Sequence, residues 1–333
     1  MLNKIRSKYI IKAIAVNLNP RLYLKLFKYN KKLKKKLEIT KKDFKIYNQI
    51  EIDIIPIQLE KERKNTIVNY YFDEKSYYHL FIDDKELRRR NYLKKKDNAK
   101  KIKVIIDMEI KSLKRLFDGC RYIKEINFVK FNRKNILDMS YMFRGCENLI
   151  NINLNNFKTC NVVRMNHMFA NCSSLTELNV SSFDTSNTET MESMFYLCSG
   201  LKKLDLSNFN TSKVTNMTKM FCSCSNLIDL NVSNFNTAKV NEMTYMFYGC
   251  TLVTSLDISS FNTGHVYIMT EMFSYCYSLI NLDISNFYID DNTNVDNMFF
   301  NCKEELQEKV KSQNERLRAN AFHCKKSKNF QLF

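Results

Sequence analysis

Residues 217–237 read MTKMFCSCSNLIDLNVSNFNT. Met217, Met220, Phe221 and Cys224 stand at i, i+3, i+4 and i+7, which predicts one face of a short helix. Leu227, Leu230 and Val232 follow as L-x-x-L-x-L, and Leu230 and Val232 alternate as a strand requires. Phe235 and Thr237 close the unit, and Thr237 is placed to cap the next helical stretch or shape a turn. Each unit is therefore expected to be a short strand, a turn and a short helix or helical turn.

Outward from this stretch the same pattern returns every 26 residues. Cys120, Cys146, Cys172, Cys198, Cys224, Cys250, Cys276 and Cys302 share that step, and so do the phenylalanines from Phe117 to Phe299. A period in this range, held over eight copies, predicts a solenoid or array in which stacked units bury a face that one unit cannot bury alone. The expected fold class is α/β, a solenoid of eight 26-residue units with an N-terminal basic helical module. The end copies are irregular: Leu113 and Leu116 replace methionines in the first, and Val295 replaces one in the last. Lys101–Ile106 (KIKVII) reads as a leading strand and Glu304–Asn320 as a polar closing helix.

The unit M-x-x-M-F-x-x-C-x-x-L-x-x-L-x-[LVI]-S-x-F-x-T, well shown by residues 191–211 (MESMFYLCSGLKKLDLSNFNT), resembles the BspA-type leucine-rich repeat, the DUF285 surface-protein repeat of mycoplasma lipoproteins, bacteria and protists. The resemblance spans about residues 109–302. It implies a leucine-rich-repeat-like solenoid without enzymatic activity, in proteins mostly displayed at the surface or secreted to bind host or matrix molecules. This chain shows no signal segment, lipobox cysteine or anchor, so a cytoplasmic location is expected from the residues and a surface location from the resemblance.

Charge divides the chain. Of 53 Lys+Arg and 35 Asp+Glu, residues 1–100 hold 27 and 12, a balance of +15, whereas residues 104–302 hold 16 and 19, a balance of −3. Four regions follow: 1–50, a basic helical module; 51–100, a strand-rich and charged connection; 101–302, the repeats; 303–333, a polar helical cap and tail. Residues 21–37 (RLYLKLFKYNKKLKKKL) form a basic amphipathic helix candidate. Such a helix suits a solvated cap, an acidic partner (nucleic acid or anionic membrane), or an F-box-like adaptor docking a ubiquitin-ligase subunit. In the connection, Val68–Phe72 and Tyr77–Ile82 read as strands.

Chemistry-bearing motifs are sparse. The cysteine column lacks the close pairs of a zinc site and is expected to be core, with Cys160, Cys222 and Cys324 off the column as candidate exposed thiols. His79, His167, His265 and His323 pair with no motif acid. No phosphate loop, nucleophile elbow or zinc-protease motif occurs, so no enzyme, cofactor, metal or small-molecule substrate is expected. A partner protein is the expected ligand. The candidate binding strip is the residue between the last two apolar positions of each strand, namely Asn153, Asn179, Asp205, Asn231, Asp257 and Asp283. The competing reading is that this ladder of Asn, Asp and Ser solvates the sheet and bonds rung to rung.

Overall fold

The computed structural model describes residues 45–323 except 47, 60–64, 88, 89 and 108. Residues 1–44 and 324–333, and with them the basic helix at 21–37, the F-box-like reading and Cys324, lie outside the described residues. Among its described residues, the compact unit that begins at Gln49 is mixed α/β, mostly strands with one α-helix, and its sheets are open. No helix among the described residues is long and apolar enough to cross a membrane.

Residues 50–106 form an end cap. Strands β1 (Ile50–Pro56), β3 (Tyr78–Ile82), β4 (Lys85–Glu86) and β6 (Ile102–Ile106) join β7 (Ile123–Phe131) and β8 (Asn151–Asn153) in the order β4-β3-β6-β1-β7-β8. The alternation that makes these strands is visible in burial: Ile50, Ile52 and Ile54 of β1, and Ile102, Val104 and Ile106 of β6, are fully buried. The polar residues between them turn outward, where Lys101 pairs with Asp53 at 2.8 Å and Lys130 with Glu51 at 3.3 Å. Because β1 runs antiparallel to β7, the strand of the first repeat, the open edge of the array is covered on this side. The strand expected to lead the repeats forms at Ile102–Ile106, but it pairs with β1 and β3, and the strand that meets β7 is β1.

The expected strand at Val68–Phe72 is a correction. Only Asn65–Thr66 (β2) pairs, with β5 (Tyr92–Leu93). The following chain runs across the end of the first repeat, where Asn69 N–H donates to Leu116 O (2.8 Å) and its amide to Arg115 O and Asp118 O (3.0 Å each). The adjacent Ile67 and Val68 are both fully buried, a pattern no one-sided strand allows, and Phe72–Tyr77 is a 3-10 turn.

Within the repeats the L-x-x-L-x-L strands pair in parallel: β7 with β8, β9 (Lys203–Asp205) with β10 (Asp229–Asn231), and Ser255 with Asn281 as a single bridge. A second parallel ladder runs Ser112, Asp138, Arg164, Thr190, Asn216, Glu242, Ile268, Asn294, one residue ahead of the first methionine position of each copy.

The expected helix in each copy is overturned. An α-helix needs N–H(i) to reach O(i−4). Here the N–H groups of Met217, Lys219, Phe221 and Ser223 donate across to Glu242, Thr244, Met246 and Tyr248 of the next copy at 2.7–3.2 Å. The N–H groups of Met220, Cys222 and Cys224 close i→i−3 turns on Met217, Lys219 and Phe221 at 3.1–3.2 Å. The path needs a left-handed residue twice per copy: Lys219 at φ 58° and Ser223 at φ 61°, with equivalents from Arg115 to Asn297 and from Gly119 to Asn301. Two successive turns bring Met217, Met220, Phe221 and Cys224 to one side as a helix would, so the spacing does not distinguish them.

Inside, the phenylalanines stack ring on ring at 5.3–5.8 Å from Phe117 to Phe299. At the far end, α1 (Glu304–Gln313) buries Leu306 and Val310. It stops at Gln313 rather than running to Asn320. The chain then returns so that Phe299 N–H donates to Ala321 O (2.8 Å) and Phe322 stacks on Phe299 (5.9 Å), continuing the column by one ring.

Candidate functional site

The repeats present two faces, one of mostly exposed and one of mostly half-buried side chains, held in different ways. The first carries the sequence-derived strip. Asn153, Asn179, Asp205, Asp257 and Asp283 are exposed and Asn231 is half-exposed, as alternation with the buried leucines requires. Every one of them also closes a turn with its own backbone. The Oδ1 of Asn153, Asn179, Asp205, Asn231, Asp257 and Asp283 accepts the N–H two residues on, at 2.9–3.3 Å. Such a bond favours Asn or Asp over any other residue. These bonds hold the carboxyls of Asp205, Asp257 and Asp283 below the usual range: for Asp205 and Asp283 chiefly the backbone N–H of Ser207 and Ser285, for Asp257 chiefly the Ser259 side chain. Asn153 and Asn231 also donate to Asn127 and Asp205 of the preceding copy, at 3.0 and 3.3 Å.

Beside the strip lies a buried column that sequence reasoning read only as caps or turns. Thr211 Oγ1 donates to Asn236 O (2.9 Å) and accepts from Asn236 N–H (2.8 Å). Thr237 does the same with Asn262, at 2.8 and 2.7 Å. Thr159, Thr185 and Thr263 repeat the clasp. In the first copy the position is Arg133, which is buried and reaches back to Asp107 O at 2.9 Å.

The cysteines belong to the core, as expected, and have a bond besides. Each thiol from Cys146 to Cys302 donates to the carbonyl of the phenylalanine 29 residues before it, at 3.0–3.3 Å. Burial pushes these thiols up, Cys198 to about 12, so they are inert as nucleophiles. Cys222, expected as an exposed thiol, is 5% exposed, because its i→i−3 turn tucks it under the next copy. Cys160 is half-buried. Among the described residues no three ligating side chains gather where a metal would sit.

The second face is built on the left-handed turn residues. Its first column reads Arg115, Tyr141, His167, Ser193, Lys219, Tyr245, Glu271, Asn297, all at φ between 53° and 60°. An L-residue in that conformation costs about 1–2 kcal/mol, a cost glycine avoids. Glycine stands at Gly119, Gly145 and Gly249 in the neighbouring left-handed column, yet nowhere in this one. The side chains pack along the face. Arg115 and Arg144 lie over Tyr141 at 5.1 and 4.7 Å, Tyr141 stacks on His167 at 4.6 Å, and Arg144 forms a two-point bridge to Asp118 at 2.8 Å. Next to them is a cleft of about 490 Å³ lined by Gly119, Gly145, Ala170, Tyr196 and Lys219. His167 sits at its edge, 3.8 Å from Glu192. Burial first, then the charges of Arg144 and Lys219, lower its pKa, so the imidazole is neutral at pH 7. Farther along, Lys219 lies 5.3 Å over Tyr245, and the Tyr245 hydroxyl donates to Glu271 at 3.2 Å.

Two histidines thus stand beside carboxylates that no motif announced: His167, and His79, 3.2 Å from Asp107, which also accepts from the Gln49 amide at 2.7 Å. Sequence reasoning missed the second face because it searched for residues that recur. The available signal was the phase of Gly119, Gly145 and Gly249, which marks a left-handed position inside the supposed helix.

A family model described as "Mycoplasma protein of unknown function, DUF285" matches residues 111–207 and 197–312. No curated protein and no solved structure matches the chain.

Proposed function

The chain belongs to that DUF285 family, and from this premise we propose that its repeats form a leucine-rich-repeat-like solenoid of eight units that works as a non-enzymatic protein-interaction scaffold. One observation carries the reading. The first left-handed column holds eight residues of seven kinds, each kept in a conformation glycine would adopt without strain. Strain that packing does not require points to a role for the side chain. Charged, aromatic and histidine side chains on a long regular array are what an extended binding face needs.

The strip from Asn153 to Asp283 is the second reading, supported by its exposure. Its inward oxygens hold the backbone, so it would recognise a partner through the remaining amide and carboxylate atoms. For residues 1–50 the +15 balance of the first hundred residues favours an anionic partner, nucleic acid or membrane lipid, held in a salt-sensitive way.

The test is capture of partners by the full chain from its own cells, compared with Tyr141→Ala and Lys219→Ala on the left-handed face and Asn179→Ala on the strip. Loss of the captured protein with the first two and retention with the third supports this reading. The reverse result transfers the site to the strip. Retention by all three variants would sink the scaffold role of both faces.

A further inference from the structure

The far end of the left-handed face differs from its beginning. Tyr245, Tyr248, Tyr275 and Tyr277, with Phe300, form a continuous aromatic patch. Tyr245 meets Tyr248 at 5.4 Å and 73°, Tyr248 meets Tyr275 at 5.1 Å and 59°, and Tyr275 meets Tyr277 at 5.9 Å and 89° and Phe300 at 5.5 Å and 82°. Tyr277 is 49% exposed, and Tyr245, Tyr248, Tyr275 and Phe300 are half-buried. Ring faces are electron-rich and attract cations placed within about 6 Å.

A carboxylate stands among them. Glu271 is half-buried and accepts the Tyr245 hydroxyl. Burial, against the pull of its hydrogen bonds to Tyr245 and Asn297, holds its pKa above the usual carboxylate value. Its charge helps to raise Tyr245 to about 12 and to raise Tyr248 further, after burial as the first cause in both. Residues 251–302, which hold Glu271, Tyr275 and Tyr277, contain no Lys or Arg. The same face already shows how its tyrosines take cations: Arg115 and Arg144 over Tyr141, and Lys219 over Tyr245.

Resting on the left-handed face as the interaction surface, we propose that this tyrosine and glutamate patch docks a lysine- or arginine-bearing segment of a partner protein. A basic side chain would lie against the exposed ring faces near Glu271 and offset the cost of that half-buried charge. The Glu271 charge would add to the ring contacts in holding such a segment.

The experiment measures binding of fluorescent oligoarginine and oligolysine peptides to the full chain, with oligoglutamate as the control of opposite charge. The variants are Tyr248→Ala, Tyr248→Phe, Tyr277→Ala, Glu271→Gln and, on neither face, the exposed Thr176→Ala. The expected result is binding of the basic peptides, weakened roughly three- to thirtyfold by Tyr248→Ala, Tyr277→Ala or Glu271→Gln. Tyr248→Phe, which keeps the ring, and Thr176→Ala should leave it nearly unchanged. If Tyr248→Ala fails to fold, Tyr277→Ala and Glu271→Gln carry the test. Absent binding, equal binding by all variants, or a loss in Tyr248→Phe as large as in Tyr248→Ala would overturn the proposal. If cellular partners are lost on Tyr141→Ala while basic peptides fail to bind, the scaffold reading stands and only this inference falls.

Discussion

The two faces of the repeats are built from the same 26-residue unit and obey opposite rules. On the strip, one residue type recurs, and its hydrogen bonds explain why. Asn or Asp is needed to close the turn, and Thr beside it is needed to bind both the N–H and the C=O of one residue in the next copy. On the left-handed face the backbone also recurs, yet the side chain changes from Arg to Tyr to His to Ser to Lys. Regularity there belongs to the main chain alone. Recurrence in a repeat thus marks what the fold demands, and variation at a strained position marks what the fold leaves open for another use.

The test of largest effect acts on the thiols that tie the turns beneath the second face. Their pKa values are raised in the folded chain, Cys198 and Cys302 to about 12, against an ordinary value near 9. A raised folded pKa means stability fully present below the unfolded value and lost as pH climbs through the folded one. Stability should fall between about pH 9 and 12, each thiol contributing up to ~1.4 kcal/mol per pH unit. Alkaline melts of wild type and Cys198→Ala check this, and the variant should show a shallower decline. A flat profile up to pH 11 would mean the thiols are not packed as described.

The clasp under the strip comes next. Thr237→Val keeps shape and removes the hydroxyl, leaving the N–H and C=O of Asn262 without that partner. A loss of ~2–4 kcal/mol is expected in denaturant unfolding. A loss under ~1 kcal/mol would remove the physical reason for uniformity on this side. Weaker again is Asn231→Ala. It deletes an exposed turn bond and an amide contact to Asp205, and a cost of about 0.5–1.5 kcal/mol follows. An effect as large as that of Thr237→Val would show the strip to be part of the buried framework.

What the sequence disclosed follows the same division. The period, the buried Met, Phe, Cys and Leu columns, a strand at Ile102–Ile106 and a closing helix are legible because apolar residues recur in phase, whereas β1, which covers the first repeat, was not read as a strand. The turns were misread as helix, since spacing i, i+3, i+4, i+7 records which side a residue faces and not which carbonyl its N–H meets. The Thr clasp was invisible because its bonds join residues 25 apart. Phe322 escaped notice since it continues the phenylalanine column out of phase, 23 residues after Phe299. The strip was placed correctly on the surface, while its turn-closing role depends on backbone angles that composition does not reveal.

The smallest expected effect bears most directly on the comparison. Lys219 holds φ 58°, and an L-residue there is strained by about 1–2 kcal/mol relative to glycine. Lys219→Gly relieves that strain, but the unfolded chain gains freedom worth roughly 0.5–1 kcal/mol. The contact of Lys219 with Tyr245 at 5.3 Å is also lost, about 0.5–1 kcal/mol at an exposed site. These terms nearly cancel, so stability should change by no more than ~1 kcal/mol in either direction. Lys219→Ala keeps the strain and loses the contact, and should melt slightly below Lys219→Gly. If glycine at 219 lowers stability by more than ~2 kcal/mol, the side chain holds the fold together and the left-handed column is structural like the strip. If glycine is neutral and the captured partner is nonetheless lost, the residue at 219 is kept for the partner, and the strain it carries has its explanation outside the fold.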